Sequence, residues 1–145
     1  MLRDPRLVPL SHQHHNGLAL CVLTDRELAA DASTENVARL ARRAVDRYEV
    51  ELVNHFALEE EVLFPAYRAE LTRPLIAEHR QLESMINTLR TNPTPDALRD
   101  FTALLRSHIR AEENQLFETA QREIASADLD RIGAELGSRA VRVCL

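Results

Sequence analysis

The chain has 145 residues, room for one domain with a sizeable core and too little for two. Hydrophobic residues make up 45% and charged ones 28%, the balance of a globule rather than of a disordered tail or a fibre. With 18 Lys and Arg against 23 Asp and Glu the formal charge is -5, which leaves no cationic surplus for a phosphate backbone. Its three glycines, at 17, 133 and 137, form no phosphate-cradling loop. Nucleic acid is therefore not expected as a partner, and nucleotide cofactors are disfavoured. Cys21 and Cys144 are too few for a disulfide framework, the opening MLRDPR is charged, and no apolar run is long enough for a membrane span. The expectation is one cytoplasmic domain over residues 1–145, with no membrane partner. Oligomeric state stays open.

Long stretches rich in Ala, Leu, Glu, Arg and Gln, punctuated by proline, predict helices. The first spans about Leu10 to Ala30, with Ser11 near its start, and the second about Thr34 to Tyr67, ended or kinked by Pro65. A third runs from about Pro74 to Thr91. In TNPTPD, Thr94 is placed as N-cap and Pro95 at the first position of a fourth helix reaching about Ile124. A short fifth helix, about Asp128 to Leu136, is stopped by Gly137 in the left-handed conformation, and the tail VRVCL is unassigned. Four such helices joined by short turns predict an all-α, up-down-up-down antiparallel four-helix bundle with a short C-terminal helix.

Each long helix should bury one apolar stripe. In the second the three-four spacing gives Val45, Tyr48, Leu52, His55, Glu59, Val62 and Ala66; in the fourth it gives Leu98, Phe101, Leu105, His108 and Glu112. The third runs Leu75, His79, Leu82, Ile86 and Leu89, and the first Val8, His12, His15, Leu18 and Val22. Every long helix thus carries histidine on its buried side, and two carry glutamate one turn later. HFALEEEVLF and HIRAEENQLF make the two halves an imperfect repeat, a lone-histidine helix followed by a His-x-x-x-Glu helix. Counting from the turn near Pro93, His79 and His108 lie about 14 and about 15 residues away and reach one level; from the turn near Ser33, His15 and His55 differ by about 6 Å of rise.

Two unpartnered buried carboxylates would threaten a fold worth only about 5–15 kcal/mol. Neutral imidazoles supply lone pairs but no charge, whereas divalent cations supply the charge that Glu59 and Glu112 require. Residues four apart on a helix lie one above the other, so His55 can bind an ion that Glu59 reaches or bridges to a second, with His108 and Glu112 opposite. Two divalent ions, two carboxylates and a bridging hydroxide nearly balance. Imidazole and carboxylate ligation without thiolate suits iron, manganese or zinc, and a pair of ions with open positions favours iron. His14, between neighbours already assigned inward, is read as partly exposed or as a support to the ligands. Glu60, Glu61 and Glu113 are read as solvated, Glu83 as a partner of Arg80 or Arg106, and Tyr48 and Cys21 as core.

The set His15, His55-x-x-x-Glu59, His79 and His108-x-x-x-Glu112 resembles the hemerythrin family, specifically the HHE cation-binding domain, over most of the chain. HFALEEEVLFP and HIRAEENQLF resemble the second and fourth helices of that family in their ligands and in the acidic and aromatic residues that follow. The resemblance implies a four-helix bundle with a non-haem di-iron centre, Glu59 and Glu112 bridging two irons alongside an oxo or hydroxo group, and the histidines capping them. It also implies binding of a small diatomic or peroxide ligand: dioxygen, peroxide or nitric oxide. One position departs from the oxygen carriers, which have a second histidine four residues before His79, where this chain has Leu75. His12, one turn before His15, is the candidate substitute. That departure favours reaction or sensing over reversible carriage, while enzyme, sensor and redox-inactive cation-binding roles all stay open.

Overall fold

The computed structural model describes residues 2–144, and among them every regular element is helical. A short 3-10 turn, Pro5–Leu7, leads into α1, Val8–Ala30. Ser33 caps α2, residues 34–66, with its Oγ accepting from the Asn36 amide at 3.3 Å. Within α2 two α-helical stretches, Thr34–Arg47 and Val53–Leu58, alternate with π-helical turns at Tyr48–Leu52 and Glu59–Leu63, and Phe64–Ala66 closes it as a 3-10 turn around Pro65. α3 is Ala69–Thr91. α4, residues 95–123, opens on Thr94, whose Oγ accepts from the Ala97 amide at 3.0 Å, and contains a third π turn at Glu112–Leu116. α5, Ser126–Arg139, lies against the N-terminal turn.

Several boundaries differ from the sequence expectation. α3 starts five residues before Pro74, which sits inside it as its sixth residue and forgoes one intrahelical bond, to the Glu70 carbonyl. α5 begins at Ser126 and runs past Gly137, which has no positive φ, so no left-handed glycine ends it. The tail from Ala140 to Cys144 is non-helical, and Leu145 lies outside the described residues.

The stripes predicted on α3 and α4 are buried throughout. On α2 the stripe holds at Leu52, His55 and Glu59 but then shifts: Leu63 and Phe64 are buried, while Ala66 is exposed. The cause is the π turn at Glu59–Leu63, which spends one extra residue per turn and moves the inward face one position along the chain. The α1 stripe is wrong. Val8 and Val22 are 46% and 48% exposed, and the buried face runs Leu10, His14, Gly17, Cys21, Thr24 and Leu28.

Two apolar clusters fill the interior. One gathers Leu20, Leu40, Phe56, Leu82, Ile86, Phe101 and Ile109; the other gathers Leu7, Leu10, Leu58, Leu63, Leu75, Leu116, Phe117 and Leu136. On α1, α3 and α4 a polar residue separates the two: His14 between Leu10 and Leu20, His79 between Leu75 and Leu82, Glu112 between Ile109 and Leu116. Histidine and glutamate thus form one buried layer between two hydrophobic ones. Among the described residues no helix is long and apolar enough to cross a membrane.

Candidate metal centre

The four long helices bring six side chains into that layer: His14 from α1, His55 and Glu59 from α2, His79 from α3, and His108 and Glu112 from α4, each no more than 2% exposed. Their ligand atoms form two groups, His14, His55, Glu59 and Glu112, and Glu59, His79, His108 and Glu112, and within each group they lie within 4.8 Å of one another. Both carboxylates belong to both groups. Glu59 Oε1 is 3.2 Å from His55 Nε2 and 3.1 Å from His79 Nε2; Glu112 Oε1 is 3.2 Å from His14 Nε2 and 2.8 Å from His108 Nε2.

His12 and His15, expected as ligands, do not join them. Both are exposed, and His12 Nε2 instead lies 3.2 Å from the Val143 carbonyl oxygen. His14, expected at the margin, is the α1 member of the cluster. The reason is rotational: His14 is four residues after Leu10 and seven before Cys21, both fully buried, whereas His15 is turned about 100° away. Since Cys21 is read as core from sequence alone, that seven-residue relation was available as a signal. The shift also eases the height mismatch. Taking His14 adds one residue on α1 and the π turn at Tyr48–Leu52 removes about one from the rise of α2, so the offset falls from about four residues to about two, or about 3 Å.

His55, His79 and His108 are hydrogen-bonded from behind through Nδ1, and a carboxylate lies beside Nδ1 of His14 without a hydrogen bond to it. His79 Nδ1 is 2.7 Å from Glu60 Oε2, His108 Nδ1 is 2.8 Å from Glu78 Oε1, His55 Nδ1 is 2.9 Å from Gln13 Oε1, and His14 Nδ1 is 3.2 Å from Glu113 Oε1. With Nδ1–H of His55, His79 and His108 directed outward, the Nε2 lone pairs of these rings face the centre, as a metal ligand requires, and His14 Nε2 lies there too, 3.2 Å from Glu112 Oε1. Glu60 and Glu113, expected as solvated, are therefore supports. Helical spacing alone turns the residue after an inward glutamate toward water, whereas here it faces the neighbouring helix. Glu61 is exposed and pairs with Arg139, and Glu83 pairs with Arg80. Phe64 stacks on His79 with ring centroids 6.0 Å apart, and Phe56 stacks on its ring at 4.0 Å.

The donors fit a cation. Among the buried atoms without a hydrogen-bond partner are Glu59 Oε2, Glu112 Oε2, His55 Nε2 and His108 Nε2 of the cluster. Leaving such groups unsatisfied is destabilising, the more so for charged ones. In the metal-free chain, protons partly compensate. Burial disfavours the His14 cation, but the Glu112 and Glu113 carboxylates beside its two nitrogens outweigh that and raise its pKa to about 10. His108 is raised to about 9 by Glu112, Glu59 and Glu78 against the same desolvation. Glu59, though burial alone would push it up, is held well below the usual carboxylate range by His55 and its other hydrogen-bond partners.

The model of one protein family, the hemerythrin HHE cation binding domain, matches residues 7–120. The chain belongs to the hemerythrin HHE family. The matched stretch contains all six clustered residues and the four groups behind them, while α5 and the C-terminal tail lie beyond it. Neither the curated proteins nor the solved structures gave a match. As a family described as cation-binding, it agrees with the donor set on this chain: buried imidazole and carboxylate atoms converging with their lone pairs inward.

Proposed function

We propose that this hemerythrin-family chain is a non-haem di-iron protein that binds, senses or reduces dioxygen, peroxide or nitric oxide at the centre of an up-down-up-down bundle. The carrying observation is the pair of four-ligand groups that share Glu59 and Glu112. His14 and His55 would hold one ion, His79 and His108 the other, and the two glutamates would bridge them. Bound iron supplies one-electron redox chemistry and affinity for small diatomic and peroxide ligands.

The protein's part is to fix the ligands and exclude water. The apolar clusters on either side of the layer keep its donors out of solvent, and the outward hydrogen bonds hold His55, His79 and His108 in the tautomer that can ligate. Leu75, one turn before His79, is buried and offers no nitrogen. Two imidazoles and two shared carboxylates would hold each ion, fewer protein ligands than an octahedral iron takes, and a small ligand would complete the set. This supports reaction or sensing over reversible carriage.

The test is anaerobic iron loading with metal analysis, then exposure of the reduced protein to oxygen, peroxide or nitric oxide while the optical spectrum is followed. Two irons per chain and a spectral response are expected. Fewer than two ions would overturn the di-metal assignment; two ions with no response to any of the three would leave a redox-inactive cation-binding role.

A further inference from the structure

The centre has an approximate internal two-fold relation that pairs α1 with α3 and α2 with α4. His14 corresponds to His79, His55 to His108, Glu59 to Glu112, and Glu60 to Glu113, and the supports follow suit. Glu113 backs His14 as Glu60 backs His79, and Phe117 stacks on His14 as Phe64 stacks on His79. The residue just before each lone histidine backs the histidine of the neighbouring His-x-x-x-Glu pair: Glu78 for His108 and Gln13 for His55. There the correspondence breaks, a carboxylate in one half and a neutral amide in the other.

Gln13 is nearly fully buried, and both ends of its amide are used. Oε1 accepts from His55 Nδ1, while Nε2 donates to Asn54 Oδ1 at 2.9 Å and to the Val141 carbonyl at 3.0 Å. The two acceptors facing Nε2 orient the amide, so only its oxygen can face His55. Asn54 is fixed in turn, accepting from the Val141 amide and donating to the Arg139 carbonyl. A carboxylate at position 13 could not serve Val141. The charge around the two ligand pairs therefore differs. Glu60, paired with Arg80, and Glu78 back His79 and His108, whereas Glu113, paired with Arg3 at 2.9 Å, is among the described residues the one carboxylate behind His14 and His55, so the difference is Glu78 against Gln13.

We propose that Gln13 is a positioning residue that makes the two metal positions inequivalent, the His79–His108 position filling first and the His14–His55 position second. A carboxylate behind an imidazole raises its basicity as a ligand, and such outer partners change metal affinity by about 10–100-fold. The inference rests on the di-metal reading of the centre, and it concerns the full chain, because the groups that orient Gln13 come partly from the tail.

Zinc ion is the probe, titrated into the metal-free protein while long-range proton–nitrogen NMR follows the ring nitrogens of the histidines. In the native chain the first equivalent is expected to shift His79 and His108 and the second His14 and His55. Gln13→Glu should tighten the second step about tenfold, and Gln13→Leu should weaken it about tenfold or more without moving the first. Glu78→Gln, which makes the halves alike from the other side, should bring the steps together and serves if a position-13 variant does not fold. If the native chain took up two ions with His14 and His55 shifting first, or with all four rings shifting together, the proposal would fail while the di-metal reading stood. Equal weakening of both steps by Gln13→Leu would reduce Gln13 to a structural role and also overturn it. Uptake of fewer than two ions by the native chain would bring down both.

Discussion

His14 lies flat against Phe117, with ring centroids 5.2 Å apart and an interplanar angle of 16°. That stacking, together with Glu112 and Glu113 on its two nitrogens, makes His14 the α1 member of the centre although His12 and His15 are the residues the sequence stripe selects. His14→Ala should cut bound metal from two ions to one or none per chain. His15→Ala, at an exposed position, should leave the count unchanged. Metal analysis of the two purified variants decides between them, and loss of metal in His15→Ala alone would overturn the assignment.

A pH dependence follows for the metal-free chain. His14 and His108 bind protons up to about 10 and about 9 in the fold, against 6.5 for an ordinary histidine. Because these folded values are raised, their stabilising contribution is complete below pH 6.5 and is lost as pH climbs through 9 and 10. Urea midpoints measured in chelator should therefore fall across that interval. Metal needs the same rings unprotonated, so uptake near neutral pH should release protons. Calorimetry in buffers of different ionisation heat reads that release, and a value of zero would contradict ligation by these two histidines.

Two glycines of α5 should respond with opposite sign to alanine. A Cβ on Gly133 would come within 2.7 Å of Arg6 Cβ and 3.2 Å of Arg6 Cα, so the N-terminal turn would have to move; overpacking of this kind costs about 1–3 kcal/mol. A Cβ on Gly137 meets nothing within 4 Å, and there alanine should stabilise the helix by up to about 1 kcal/mol. Chemical denaturation of the metal-free variants checks both signs.

α4 and the larger apolar cluster set a further scale. Thr94→Ala removes the acceptor of the Ala97 amide and should cost about 1 kcal/mol. Phe101→Ala empties a fully buried site in the larger apolar cluster and should cost about 3–5 kcal/mol. Both should leave the number of bound metal ions unchanged, since on α4 Phe101 lies about two turns and Thr94 about four turns before His108; a lowered count in either variant, measured on folded protein, would contradict that separation.

Much of the chain's character was readable before any coordinates. The stripes of α3 and α4, the Thr94 cap, and the inward places of His55, Glu59, His79, His108 and Glu112 follow from helical spacing, because in those stretches one periodicity persists and the polar intruders stand out against leucine and phenylalanine. The repeat HFALEEEVLF and HIRAEENQLF further paired the two glutamates.

Tertiary packing alone decided the rest. Along α1, apolar residues occur on several faces, so periodicity could not tell whether His14 or His15 looks inward; contact with α4, where Phe117 and Glu113 wait, settles it. Past Glu59 the π turn shifts the buried face by one residue, a change that an even three-four count has no means of seeing. Likewise, which outer group meets each Nδ1 depends on how neighbouring helices are rotated against one another. Local pattern fixes what lies on one helix, whereas a centre built from four helices depends on the angles between them.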